Sequence, residues 1–301
     1  MILVKRVKRV ALATLAVVAL VGGAAGVYRA ATWVHEDLDH LAPYSASFRY
    51  DALARALPAY TVGPSGFRFV VLGDTRSNWL AAKTVLEHAA EESPTFILNT
   101  GDVVHHGTVD EYMRFCTMLA EVAPMPHVPA PGNHDEGPNR NFAAFKALFG
   151  ADRFSFDYGG CRFVGVNNGD PFRLGWSDMQ FLETELNKPG ASHKFVFMHI
   201  PPAYVQASAG RGFEWHAKAF RQLMQRAGVD QVFMGHIHGY ATEWIDGIPY
   251  TIAAGGGAPL AETLGEEGKV LNYIVVSVNG EKLSREVVRL YGGEWKRSTI
   301  P

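Results

Sequence analysis

The sequence predicts an α/β protein built around a largely buried sheet. Two observations carry that expectation. Short apolar runs ending in polar residues recur along the chain, and stretches of helical periodicity separate them. A third refines it: toward the C-terminus the pattern changes to period two with turn dipeptides, which indicates hairpins.

The elements follow in order. "FRFVVLGD", residues 67–74, reads as a strand closing on Gly-Asp. Residues 78–92, "NWLAAKTVLEHAAEE", place apolar side chains at helical spacing. "TFILNTGD", residues 95–102, repeats the strand and its Gly-Asp ending. A helix-like stretch then leads to "HVPAPGNHDE", residues 127–136. "RFSFDYGGCRFVGVNN" reads as a hairpin about Gly159-Gly160. "WSDMQFLETELNK" sets Ser177 and Gln180 at capping-box spacing and runs as a helix to Pro189. "KFVFMHIPP" and "QVFMGHIHG" are two more runs of strand type. Asp246-Gly247 and Asn279-Gly280 mark the turns of C-terminal hairpins.

Composition bounds the rest. The 301 residues are 48% hydrophobic and 19% charged, enough for a sizeable core. A net charge of −2 gives no general attraction for nucleic acid, and none is expected as a partner. Cys116 and Cys161 are too few for a disulfide framework or a thiolate metal site, and a single pairing stays open. Lys5, Arg6, Lys8 and Arg9 precede an uncharged stretch over residues 10–27. At about 1.5 Å per residue it spans roughly 27 Å, close to a hydrocarbon core. Residues 1–30 therefore read as a signal peptide or a membrane anchor. Either way the remaining chain is expected outside the cytoplasm, at the outer face of the membrane or beyond. Residues 31–66 read as a linker or N-terminal extension and residues 67–301 as the main domain.

The chemistry gathers in one kind of place. Asp74, Asp102, Asn133 with His134, His199, and His236 with His238 each follow a strand-like run. In open α/β sheets, ligand sites form beyond the carboxyl ends of strands. Carboxylates, an amide oxygen and imidazoles, without thiolates, suit ions of the Mn, Fe or Zn type. The glycines beside Asp102, Asn133 and His236 allow sharp turns and close approach. Each residue also has a plainer reading. Asp74 and Asp102 precede helical patterns and fit as N-caps, Asn133 fits a turn, and a His-x-His pair alone is often incidental. Asn167, Asn168 and Asp170 fit a pocket wall or a turn. Trp176, Trp215 and Trp244 fit core or pocket. His88, His127, His193 and His216 fall outside the set.

"GDTR", "GDVVHHG", "GNHDE", "MHIPP" and "GHIHG", in that order, resemble the calcineurin-like metallophosphoesterase family. The resemblance implies a four-layer α/β/β/α sandwich and hydrolysis of phosphate esters by a metal-bound hydroxide at a dinuclear centre. It implies Asp74 on a first ion, Asp102 bridging both ions, Asn133, His199 and His236 on a second, and His238 returning to the first. His134 resembles the residue that contacts the scissile phosphate or protonates the leaving group, with Asp135 orienting its imidazole. The glycine-rich residues 253–259 resemble a loop near the site in relatives. One departure stands out. The family often has Asp-x-His in its first motif, whereas this chain has Asp74-Thr75-Arg76. A guanidinium offers no lone pair to a metal. His105, where purple-acid-phosphatase-like members carry a tyrosine, is the candidate replacement ligand. Arg76 is then free to grip a substrate phosphate or to serve as a surface ion-pair partner. The expected substrate is a phosphorylated small molecule or lipid. The alternative is a membrane-tethered protein that keeps the fold and binds a phosphorylated ligand without cleaving it.

Overall fold

The computed structural model describes residues 33–57, 66–76, 78–169 and 174–300. The leader expected over residues 1–30, most of the prolines of the linker, and Asp170 lie outside them. Among the described residues, no helix is long and apolar enough to cross a membrane. The chain divides into two compact units, Met1–Glu36 and Asp37–Pro301. Of the first, residues 33–36 are described and carry no helix or strand. Everything that follows concerns the second.

Two six-stranded sheets form the frame. The first runs in the order β12-β11-β10-β1-β2-β3 and the second in the order β4-β5-β6-β7-β9-β8. In the first, β1 (Phe67–Leu72), β2 (Ile97–Asn99) and β3 (His127–Pro129) are parallel. β10 (Leu271–Asn279) joins β1 antiparallel, and β11 (Lys282–Tyr291) and β12 (Glu294–Thr299) extend that edge as a meander. In the second, β5 (Cys161–Gly165), β6 (His193–Phe197), β7 (Gln231–Met234) and β9 (Ile248–Ala253) are parallel. β4 (Phe154–Tyr158) and β8 (Tyr240–Ile245) close the two edges antiparallel.

The unbroken apolar runs of the sequence are explained by burial on both faces. Side chains alternate along a strand. Phe69 and Val71 of β1 therefore join Phe163, Phe195, Phe197 and Phe233 in one apolar layer between the sheets. The Phe69 ring meets Phe163 edge-on at 5.1 Å and Phe195 at 5.2 Å. Val70 and Leu72 point the other way, into a second cluster with helical residues. Those helices include α3 (Trp79–Glu91), α4 (Val109–Val122) and α5 (Ala143–Phe149). On the second sheet, Val164, Val196 and Val232 pack against α6 (Trp176–Leu186) and α7 (Ala217–Ala227).

Several local readings change. The extension is partly helical. α1 (Ala42–Phe48) and α2 (Tyr50–Ala56) follow a short 3-10 turn whose Leu41 is buried in the first-sheet helix layer. The Tyr50 hydroxyl donates to the Pro129 carbonyl at 2.6 Å, fastening α2 beside β3. The capping box expected at Ser177 does not form, because α6 begins two residues earlier than that cap implies, at Trp176, with Gly175 as its cap. Neither Asp74 nor Asp102 is the N-cap of the helix that follows it. Asn78 caps α3, and Thr108 caps α4 in a reciprocal box with Glu111. The edge strand β12, turned through Gly292-Gly293, went unread. Cys116 on α4 and Cys161 on β5 are buried and free. Trp176, Trp215 and Trp244 are exposed and belong to no core.

Candidate metal centre

The loops leaving β1, β2, β3, β6 and β7 all open at the carboxyl ends of parallel strands. They bring Asp74, Asp102, Asn133, His199 and the His236–His238 pair together. Asp74, Asp102 and His238 each offer an atom within 4.8 Å of the other two. His199 Nε2 lies 3.1 Å from Asn133 Oδ1 and 3.3 Å from Asp102 Oδ1. His236 Nδ1 lies 3.0 Å from the same Asn133 oxygen.

The backbone is bent to achieve this. Asp74, Arg76, Asp102 and His236 have φ of 60°, 31°, 52° and 70°. Left-handed conformations are uncommon for residues other than glycine, and such strain collects at functional sites. Gly101 makes the sharp turn expected of it, at φ 98°, whereas the other two neighbouring glycines serve the carboxylates. A Cβ on Gly132 would stand 2.2 Å from Asp102 Oδ1, and one on Gly235 2.7 Å from Asp74 Oδ2. These glycines make room for the carboxylates themselves.

Carbonyl oxygens fix the tautomers, since a carbonyl only accepts. His199 Nδ1 donates to the Thr100 carbonyl at 2.9 Å, so Nε2 is the nitrogen turned toward Asp102 and Asn133. His238 Nδ1 donates to the Pro259 carbonyl at 2.7 Å, which turns its Nε2 inward. Three acceptors then face one another around His199: its own Nε2, an amide oxygen and a carboxylate oxygen. Only a cation or a proton between them relieves that arrangement. In the metal-free protein the proton serves. Burial, the largest single influence, disfavours the charged ring, but the charge and hydrogen bond of Asp102, the Asp74 charge and the Thr100 carbonyl together raise His199 to about 9. Burial, and next to it the His199 charge, lowers His236 to about 3. Burial likewise lowers His238. Burial also drives Asp74 well above the usual carboxylate range, with Asp102 adding to it.

Arg76 lies inside this cluster and only 13% of its side chain is exposed, so it is no surface ion-pair partner. Its Nη1 is 3.2 Å from His238 Nε2 and its Nη2 is 3.0 Å from His105 Nδ1. Nε stands 3.9 Å from Asp102 Oδ2 and is buried without a hydrogen-bond partner. His105 therefore meets the guanidinium. It is not in the donor group formed by Asp74, Asp102 and His238, where a replacement ligand was expected. Its ring stacks on His134 at 5.0 Å.

His134 is placed by two contacts. Its backbone N–H donates to Asp102 Oδ1 at 2.9 Å and its Nδ1 donates to the His105 carbonyl at 2.8 Å. Asp135 does not stand behind this imidazole as expected. Its buried carboxylate accepts from the amides of Val103, Val104 and Gly132 and from the Tyr112 hydroxyl. It clamps the Asp102 loop to the Asn133 loop. The orienting acceptor of His134 is a backbone carbonyl, which no sequence pattern announces.

Other supports were missed or left open. Asn168 Oδ1 accepts from the amides of His199 and Ile200 and so holds the β6 loop. Asn167 serves the local turn, accepting from Gly169 N. Residues 253–259 secure the first motif: Gly256 N donates to the Gly73 carbonyl and Ala258 N to that of Asp74. His88, His127, His193 and His216 pair elsewhere, with Tyr273, Asn99, Asp230 and the Leu174 carbonyl. A groove of about 670 Å³ lined by Tyr44, Trp79, Lys83 and Glu121 takes no part in the cluster.

Known structures share this arrangement of elements. Purple acid phosphatase PPD1 from yellow lupin (Lupinus luteus) superposes with a TM-score of 0.65 at 18% identity, over 80% of this chain. That match spans 55% of the lupin chain. GAP50 of Plasmodium, described as the anchor in the inner membrane complex, gives 0.60 at 15% identity, over 78% of this chain and 89% of its own. A dimetal phosphatase from Danio rerio gives 0.56 at 13% identity, over 78% and 99%. At these identities the likeness is one of fold. No curated protein sequence matches. The family model for calcineurin-like phosphoesterases matches residues 67–240, which contain every residue of the cluster. The chain belongs to the calcineurin-like phosphoesterase family.

Proposed function

We propose that this chain hydrolyses phosphate esters with a bound divalent metal. The observation that carries the reading is the set of acceptors around His199 Nε2, where Asn133 Oδ1 and Asp102 Oδ1 lie within 3.3 Å. Asn133, His199, His236 and Asp102 are the residues that hold an ion there. Asp74, Asp102 and His238 form the adjoining corner. A bound ion supplies Lewis-acid activation of water and neutralisation of phosphate charge.

The remaining roles belong to the chain's own side chains. The Arg76 guanidinium, already hydrogen-bonded to His238 and His105, adds positive charge beside the equatorial oxygens of a phosphoryl group, which stabilises charge as it develops. Because His134 Nδ1 donates to the His105 carbonyl, the proton for the leaving oxygen comes from Nε2 of the doubly protonated imidazolium, which is left as the neutral Nδ1–H tautomer. The buried Asp135 clamp keeps His134 and Asp102 in register without touching substrate.

The substrate in this reading is a phosphorylated small molecule or lipid, acted on outside the cytoplasm. The basic cluster and apolar stretch of residues 5–27 support export, with the segment serving as signal or anchor and residues 67–301 as the catalytic domain. A second reading has one observation in its favour. The guanidinium among the imidazoles suits retention of a phosphorylated ligand.

The test is to strip the soluble part with chelator, reload it with Mn, Fe or Zn, and assay an aryl phosphate and its bis-ester beside elemental analysis. Metal-restored turnover supports hydrolysis. Tight phosphate binding without turnover under all three metals supports the second reading.

A further inference from the structure

We propose that Arg76 is itself the resident cation of the Asp74–Asp102–His238 corner, so that the protein binds one exchangeable divalent ion and not two. This rests on the metal-dependent reading above and narrows it.

Two corners of the cluster differ in what fills them. Around Asn133, the inward nitrogen of His199 and the oxygens of Asn133 and Asp102 face one another, and among the described residues no guanidinium or ammonium hydrogen-bonds to these three atoms. Around Asp74 the inward nitrogen is His238 Nε2, and Arg76 Nη1 already donates to it at 3.2 Å. A second imidazole, His105, turns its Nδ1 to the same guanidinium at 3.0 Å. An imidazole lone pair binds a metal or accepts a hydrogen bond, not both. The two rings able to complete this corner are therefore engaged by a group that stays charged at any working pH.

Charge points the same way. The corner holds two carboxylates, Asp74 and Asp102, both fully buried. The guanidinium and one divalent ion beside them offset both carboxylates and leave a single excess positive charge. Two divalent ions with the guanidinium leave three, within a few ångströms of one another in a buried site. The backbone supports the placement, since Arg76 is held at φ 31° with its N–H on the Asp102 carbonyl at 3.1 Å. The side chain is thereby aimed inward from the residue two beyond Asp74.

The experiment is a metal count on the full soluble chain. Metal-free protein is equilibrated with excess Mn²⁺, passed over a desalting column and analysed for bound metal, with the electron paramagnetic resonance spectrum recorded. One Mn per chain with the six-line spectrum of an isolated ion is expected. Arg76→Ala and Arg76→His are then expected to take up a second Mn, with an exchange-coupled spectrum replacing the six lines. Two tightly held ions in the unaltered protein overturn the proposal, whatever the variants do. A folded variant that remains at one ion also overturns it. No bound metal in the unaltered protein overturns instead the metal-dependent reading on which it rests.

Discussion

The Tyr112 hydroxyl donates to Asp135 Oδ1 at 3.0 Å, and through that contact α4 is tied to the loop that carries His134. The same carboxylate takes the Gly132 amide at 2.8 Å and the Val103 and Val104 amides at 3.2 Å. Burial and then the Asp102 charge push Asp135 up to about 7, so these donors act against a real penalty. Asp135→Ala leaves three buried amides unpaired at about 1–3 kcal/mol each. We expect a loss of several kcal/mol in urea unfolding, together with weakened metal retention. Tyr112→Phe removes one donor and costs about 1–3 kcal/mol. Equal, small losses for both variants would show that the clamp does not hold the loops.

Asp102 and His134 are predicted to separate cleanly. Asp102→Ala removes the oxygen that faces both His199 and the His134 amide, so bound metal and turnover fall together. His134→Ala retains metal and lowers kcat by about 10²–10⁴, the ordinary worth of a positioned proton donor. Elemental analysis beside steady-state rates distinguishes them. Full metal content in Asp102→Ala contradicts the assignment.

The pH dependence follows from His199. Its value is raised from 6.5 to about 9 in the folded, metal-free protein. The stability it contributes is complete below about 6.5 and disappears as pH rises through about 9. Metal-free protein should lose a few kcal/mol of stability across that window, and His199→Gln should flatten the profile. Metal takes the place of the proton, so loading at neutral pH releases it. Calorimetric titration in two buffers of different ionisation enthalpy reads that proton directly. Identical heats in both would contradict it.

Gly132 tests the packing around the carboxylates. The Cβ of Gly132→Ala meets Asp102 Oδ1 at 2.2 Å and Asp102 N at 2.3 Å. Overpacking of this kind costs about 1–3 kcal/mol. Displacement of Asp102 should also lower the metal content. An alanine variant that melts normally and keeps its metal would show that the loop has slack.

Much of this site was legible in the sequence because strand ends are legible. Gly-Asp, Gly-Asn-His and Gly-His-x-His after apolar runs name the ligands, and parallel strands make their loops converge. Asp135 was misread because adjacency to His134 suggests an orienting carboxylate, whereas a 3-10 turn over Asn133–Glu136 sends its side chain inward to backbone amides. The true partners of the imidazoles are carbonyls of Thr100, His105 and Pro259, and backbone atoms leave no mark in composition or spacing. Arg76 was legible as a non-ligand, but its inward placement depends on a positive φ that only the folded chain displays.

The central claim is that Asp102, Asn133, His199 and His236 share a metal ion. Anomalous diffraction from crystals equilibrated with Mn²⁺ tests it most directly. A peak within bonding distance of Asp102 Oδ1, Asn133 Oδ1, His199 Nε2 and a His236 ring nitrogen is the predicted result. Crystals that show no peak among these four side chains, or a peak held only by other residues, would contradict the account.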